Sequence, residues 1–385
     1  MEMQQIREGD VSLLVHAFSE KGYTPSVTPV FYNPHMELNR DVTVAAIAAW
    51  IKRKNKDNPD ENAGITYLDA MAASGIRGIR VAKEIGVNVT LNDWGEEACK
   101  LILENVELNQ LSSNSQVSRK SANVLMHEKK FDIIDLDPFG SPAPFLDAAA
   151  SSAKGLLAVT ATDTAPLCGA HLNSGMRKYS SVPLNTEYHS EMGARVLLGY
   201  MARVIAMHEK SMVPLLTHAT RHYVRTYVQL KNGAKAADKS LREVGFIAHC
   251  PSCGMVDYKK GLTVQMEKSC PFCKKEVHVG GPLWLGSLHE QGFCEEILLE
   301  MEERPLGTKD ASSKMLEVCK NELDVPMFYD QHKICKQLGI SAKPIEELLE
   351  RIRESGFEAS RTHFSGTSFK SDANYKQIKQ IVRNY

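Results

Sequence analysis

No run of about 18 uninterrupted apolar residues occurs in this chain, so a transmembrane helix is not among its expected elements. The first ten residues lack the apolar core of a signal peptide, and a cytoplasmic protein with no membrane partner is expected. An excess of one charge sign is also missing. Lys and Arg number 46 against 47 Asp and Glu, so the total makes no case for a polyanionic partner and only local distribution can. Nine cysteines in 385 residues are too few for a disulfide scaffold. Internal repeats and low-complexity segments are absent.

What is present fits a soluble globular chain: 43% hydrophobic and 24% charged residues, with length enough for two or three domains. Strand-like runs alternate with helical ones from residue 65 onward. Ile65–Asp69, Asn88–Asp93, Gln116–Lys120, Phe131–Asp137 and Leu156–Thr162 read as strands, Ile76–Ile85 and Glu96–Leu108 as helices. Such alternation with short loops implies a parallel doubly wound sheet. Glu187–Met207 reads as a further helix, and Val213–Thr217 with Tyr223–Leu230 as a closing antiparallel pair. Upstream, Asp41 is placed to cap a helix over Val42–Lys52, and 55–64 reads as a polar linker. The pattern changes near Asn232: 246–279 looks poor in strands, and the remainder is mainly helical. The expected division is 1–235 as a catalytic domain with an N-terminal extension and 236–385 as a C-terminal domain. The latter includes a cysteine segment at 246–280 and a winged-helix-like module at 325–385.

Four constellations carry chemistry. After the first strand, Asp69 leads into a small-residue loop, Ala70 to Gly75, and then a helix. Asp69 and Ala72 stand where a dinucleotide fingerprint would have glycine, so the loop suits an amino-acid ammonium better than a pyrophosphate. A plain strand-to-helix turn is the bland alternative. Asp93 ends the next strand, where a carboxylate commonly takes the hydroxyls of a ribose. Ser121-Ala122-Asn123 follows the third strand and would line an adenine. An amino acid, a ribose and an adenine without phosphate together describe S-adenosylmethionine.

The third constellation is Asp135-Leu136-Asp137-Pro138-Phe139-Gly140 at the end of a buried strand. Asp137 and the Pro138 carbonyl can accept hydrogen bonds from an exocyclic amine, while Phe139 can stack on a flat ring. Asp135 faces the same side, deeper, and reads as structural. The fourth is Cys250-x-x-Cys253 with Cys270-x-x-Cys273, a spacing that matches a closed tetrahedral zinc site. Basic and aromatic residues also interleave at 168–179 and Arg221–Arg225, and 351–385 carries a local excess of Lys and Arg. Each suits either an RNA surface or an ordinary solvated face.

Together these residues resemble the tRNA (guanine-26-N2) dimethyltransferase family in its archaeal form. The resemblance rests on Phe31-Tyr32-Asn33-Pro34 with Asn39-Arg40-Asp41, the 73–80 loop and helix, the 135–142 turn, 160–170, Arg177-Lys178-Tyr179, and Thr362-His363-Phe364-Ser365 with Lys370. It implies a class I, Rossmann-like S-adenosylmethionine-dependent methyltransferase domain, a zinc-binding segment and a mainly helical α+β C-terminal domain that docks tRNA. It further implies that Arg40, Arg77, Asp93 and the Ser121-Ala122 step contact the methyl donor, and that Asp137, Pro138 and Phe139 hold the guanine. Ser121 departs from the acidic residue usual in the family. The same site logic serves methyltransferases of other amino groups, and a non-catalytic RNA-binding protein is the remaining alternative.

Overall fold

The computed structural model describes residues 2–17, 29–55 and 64–384, so most of the expected 55–64 linker lies outside the described residues. A hairpin of β1 (Met3–Glu8) and β2 (Val11–His16) precedes helix α1 (Glu37–Lys54). The helix starts at Glu37, ahead of the expected cap. Asp41 lies inside it, fully buried, accepting from Arg80 at 2.6 Å and from the Thr308 hydroxyl at 2.7 Å. A local reading sees a capping residue there because the distant cation is invisible in sequence.

Then follow β3 (Thr66–Asp69), α2 (Ile76–Glu84), β4 (Asn88–Asn92), α3 (Glu96–Leu108), β5 (Ser115–Ser118), α4 (Ala122–Glu128), β6 (Phe131–Leu136), α5 (Leu146–Ser152) and β7 (Ala153–Ala161). Short α6 (Thr164–Leu167) and α7 (Leu172–Tyr179) lead to α8 (His189–Ala206) and the hairpin β8 (Lys210–Thr220) and β9 (Tyr223–Asn232). The strands form one sheet in the order β5-β4-β3-β6-β7-β9-β8. β5 to β7 run parallel, and β9 and β8 complete the sheet antiparallel, as the sequence pattern predicts. The order reverses between β3 and β6. That reversal opens a crevice at the C-terminal strand ends.

Burial on both faces explains the near-continuous apolar run of β6, whose Phe131, Ile133, Ile134 and Leu136 are all buried. Apolar clusters cover each face: α4, α5 and α8 lie on one side, α1, α2 and α3 on the other. Gly78 lets α2 settle against the sheet, since a Cβ there would lie 2.8 Å from Leu91 Cδ2. Gly75, at φ +83°, turns the loop into that helix from a conformation only glycine adopts freely.

After α9 (Ala234–Arg242), the segment expected to be strand-poor forms a three-stranded antiparallel sheet of β10 (Val244–His249), β11 (Val256–Lys260) and β12 (His278–Trp284). Its Gly and Pro residues punctuate turns between strands rather than replacing the strands. Helices α10 (Gln291–Glu302) and α11 (Lys309–Asn321) pack over α1, joining the cluster on that face. The chain ends with β13 (Tyr329–Asp330), α12 (Gln331–Leu338), α13 (Ile345–Glu354), β14 (Ala359–Arg361), β15 (Ser368–Ser371) and α14 (Tyr375–Arg383). These share a separate apolar cluster around Leu348, Phe369 and Ile378.

Candidate active site

A cleft of about 600 Å³ occupies the switch point, walled by the loops after β3, β4, β5 and β6 and by Phe31 to Arg40. Asp93 shapes two of those walls. Its Oδ2 accepts from the Ala73 amide at 3.0 Å and its Oδ1 from the Gly95 amide at 2.9 Å. Ala73 is thereby held at φ +49°, a conformation a non-glycine residue keeps only under outside constraint. Each carboxylate oxygen retains a lone pair for a hydroxyl in the cleft.

Asp69 lies beneath the loop, buried, accepting from the Gly78 amide at 3.0 Å. Burial pushes its carboxyl up, neighbouring Asp135 adds to the effect, and Arg77 only partly opposes it, leaving the value at about 7. Asp135 has the reverse outcome. Burial raises it too, but Arg225, at 2.8 and 2.5 Å, and Arg77 outweigh burial and hold it below the ordinary range. Fully buried and also bonded to the Tyr67 hydroxyl, Asp135 is a framework residue.

Arg40 and Arg77 line the cleft, yet their guanidiniums face protein partners. Arg40 donates to Glu8 at 2.7 and 2.5 Å and to the Asn33 carbonyl at 3.2 Å. Arg77 donates to Asn39 at 2.7 Å, to Thr43 at 2.9 Å, and to Oδ2 of Asp137. The cation on α2 thus ties α1 to the carboxylate at the end of β6.

Asp137, Pro138 and Phe139 sit together at the crevice mouth. Their turn is fastened from below. The Gly140 amide donates to the Thr162 hydroxyl at 2.8 Å, and Ser141 donates to Tyr179, which donates to Asp163 at 2.6 Å. Phe139 remains 69% exposed, its ring edge-on to Phe31 at 4.5 Å. An aromatic face left open beside a fixed carboxylate is a platform for a flat ring.

Ser121 and Ala122 line the same cleft with Lys120, whereas Asn123 turns away to the Pro144 carbonyl at 3.1 Å. Trp94, 82% exposed on the cleft wall, was not singled out in the sequence, although its place directly after Asp93 was a readable signal. Glu8 was missed too, since nothing local announces that a hairpin residue grips Arg40. The suspected RNA-facing cations differ widely in exposure, and Arg361 and Lys379 are half-buried. Arg225 and Lys370 are buried in ion pairs, with Asp135 and with Glu191 and Glu322, so neither is a surface cation. Arg177, Arg351, Lys376 and Arg383 are exposed.

Away from the cleft, Cys250, Cys253, Cys270 and Cys273 converge with all four sulfurs within 4.8 Å of one another. The Cys250–Cys273 and Cys253–Cys270 separations are 3.4 and 3.6 Å. A tetrahedral zinc with bonds near 2.3 Å spaces its sulfurs by roughly 3.8 Å. The donor set fits zinc, and four thiolates leave no position open for catalysis.

Residues 9–383 match the model of the N2,N2-dimethylguanosine tRNA methyltransferase family. The chain belongs to that family. The tRNA (guanine(26)-N(2))-dimethyltransferase of Methanosarcina barkeri is 58% identical over 361 residues, covering 94% of this chain and 93% of that one. Its namesake in Haloarcula marismortui is 44% identical over 378 residues, covering 98% and 99%. Trm1 from Pyrococcus horikoshii, solved in complex with S-adenosyl-L-methionine, superposes with a TM-score of 0.86 at 37% identity, covering 98% of this chain and 99% of that one. The family's central sheet is therefore the class I, Rossmann-like methyltransferase sheet, here followed by the cysteine cluster and the α+β C-terminal half. Among the described residues no helix is long and apolar enough to cross a membrane.

Proposed function

We propose that this family member transfers one or two methyl groups from S-adenosylmethionine to the exocyclic N2 of guanosine 26 in tRNA, giving N2-methyl- and N2,N2-dimethylguanosine, in the cytoplasm. The observation that carries the reading is the placement of Asp137 and Phe139 at the switch point, in one cleft with Asp93. In this reading Asp93 takes the ribose hydroxyls, Asp69 the amino-acid ammonium, Ser121 and Ala122 the adenine edge, and Arg40 and Arg77 brace the walls. When bound, the cofactor supplies a methyl group made electrophilic by its sulfonium.

The guanine amine is a weak nucleophile because its lone pair is delocalised into the ring. In the first transfer Asp137 and the Pro138 carbonyl accept its two hydrogens and turn the lone pair towards the methyl group; in the second, one N–H remains and Asp137 accepts it. Arg77 engages Oδ2 of Asp137, which leaves Oδ1 to accept from the amine. Positioning of this kind provides most of the acceleration. Asp137 then takes the proton late, as positive charge develops on nitrogen. The base must leave the tRNA stack first, and Phe139 receives its face. Residues 236–385, with the zinc segment at 246–280 and the winged-helix-like module at 325–385, dock the tRNA through exposed cations such as Arg351, Lys376 and Arg383.

Asp137→Ala, assayed with labelled cofactor on transcribed tRNA and followed by nucleoside mapping, tests this reading. Transfer should fall at least a hundredfold while cofactor binding persists; undiminished transfer would sink the assignment.

A further inference from the structure

Three ligand-type side chains from distant segments meet below the C-terminal module. His289 lies between β12 and α10, Cys319 in the last turn of α11, and His363 between β14 and β15. One ligand atom of each lies within 4.8 Å of the other two. All three side chains are withdrawn from solvent: Cys319 is 1% exposed, and the side chains of His289 and His363 are 8% and 1% exposed. We propose that His289, Cys319 and His363 form a second, buried metal site for zinc or a similar borderline divalent ion, pinning the C-terminal module to the helices that cover α1.

The unmet hydrogen-bonding capacity of the imidazoles is an independent observation. Nε2 of His363 is buried and meets no hydrogen-bond partner in the protein, and Nε2 of His289, also buried, has only Glu322 Oε2 at 3.8 Å, beyond hydrogen-bond distance, a condition buried polar atoms rarely keep. His363 is oriented for ligation. Its Nδ1 meets Glu322 Oε2 at 2.6 Å, which leaves Nε2 as the donor atom, and Glu322 is itself held by Lys370 at 2.9 Å. A carboxylate behind a ligating imidazole is the usual outer partner of a metal-bound histidine. His289 Nδ1 has only a long contact, 3.5 Å, from the Thr217 amide. Ligation through Nε2 moves the ring proton of His289 to Nδ1, which gives up that weak contact, and the Cys319 thiol releases its proton as the metal–sulfur bond forms. Two imidazoles and a thiolate select zinc-like ions over calcium or magnesium.

The test is metal content, measured on the purified full chain by elemental analysis. The native protein should carry two zinc equivalents, the Cys253→Ser/Cys273→Ser variant one, and Cys319→Ala one. Cobalt added to the metal-stripped Cys253→Ser/Cys273→Ser variant should give a thiolate-to-cobalt charge-transfer band that a further Cys319→Ala removes. A native chain holding a single equivalent overturns the site, as does a Cys319→Ala chain that still holds two. If the double-cysteine variant does not fold, the native and Cys319→Ala counts decide alone.

Discussion

Arg77 offers the sharpest test of how the cleft works. Replacing it with Met keeps much of its volume while removing the donors to Asn39, Thr43 and Asp137. Breaking a buried ion pair from one side costs about 3–5 kcal/mol. The Asp137 side chain is 21% exposed and can recover some hydration, so about 2–3 kcal/mol of stability should be lost. The larger effect falls on rate. A carboxylate released from its anchor drifts, and a displacement of about 1 Å at a reacting centre can cost about a hundredfold. Single-turnover methylation of transcribed tRNA should slow by roughly that factor. Cofactor affinity, measured by equilibrium dialysis, should change by less than about threefold, because the guanidinium points at Asp137 rather than into the cleft. Arg77→Lys should recover part of the rate. The reverse pattern, cofactor affinity down more than about tenfold with the single-turnover rate intact, refutes this account. Arg77 would then act on the methyl donor, as the family resemblance implies.

Asp69 predicts a pH dependence. With its value at about 7, cofactor binding below neutrality must expel a proton, so affinity should rise with pH up to about 7 and then level off. Isothermal titration in buffers of differing ionisation enthalpy would count that proton, and Asp69→Asn should abolish the slope. The same group makes the fold less stable as pH rises from about 4 to about 7, because the folded state holds a proton that the unfolded chain releases near pH 4. Phe139→Ala should weaken transfer by about 5- to 150-fold, matching the roughly 1–3 kcal/mol of one base–aromatic stack, with cofactor binding intact. A tRNA saturation series in which neither kcat nor KM moves would exclude the stacking role. Removing zinc through Cys250→Ser/Cys270→Ser should lower the melting midpoint by roughly 5 °C or more while leaving activity per folded molecule nearly constant. Activity lost in proportion to zinc, with the fold unmoved, would contradict a purely structural metal.

Sequence disclosed the parts whose signal is local. Strand-to-helix alternation and the runs ending at Asp69, Asp93 and Asp137 announce the sheet and place the cleft, because strand periodicity and small-residue loops are short-range properties. Partnerships at long separation stayed hidden. Arg225 reads as a surface cation until Asp135 is seen against it, Asp41 reads as a cap until Arg80 is seen, and Lys370 joins the apparent basic excess although Glu191 and Glu322 hold it inside. Glycines and prolines between cysteines masked three strands for a related reason. Turn residues advertise reversals, but only pairing reveals what lies between them.

The packing of α1 has a consequence for synthesis on the ribosome. Asp41 waits for Thr308, and among the described residues the outer side of α1 is covered by α10 and α11. A nascent chain ending before α11 would present that apolar side, and the half-satisfied Asp41, to water. The wall of the cleft that carries Asn39, Arg40 and Thr43 is therefore completed late in translation. Until then the emerging polypeptide is a substrate for chaperones and a hazard for aggregation, although every residue of the Asp137 to Gly140 turn has already been made.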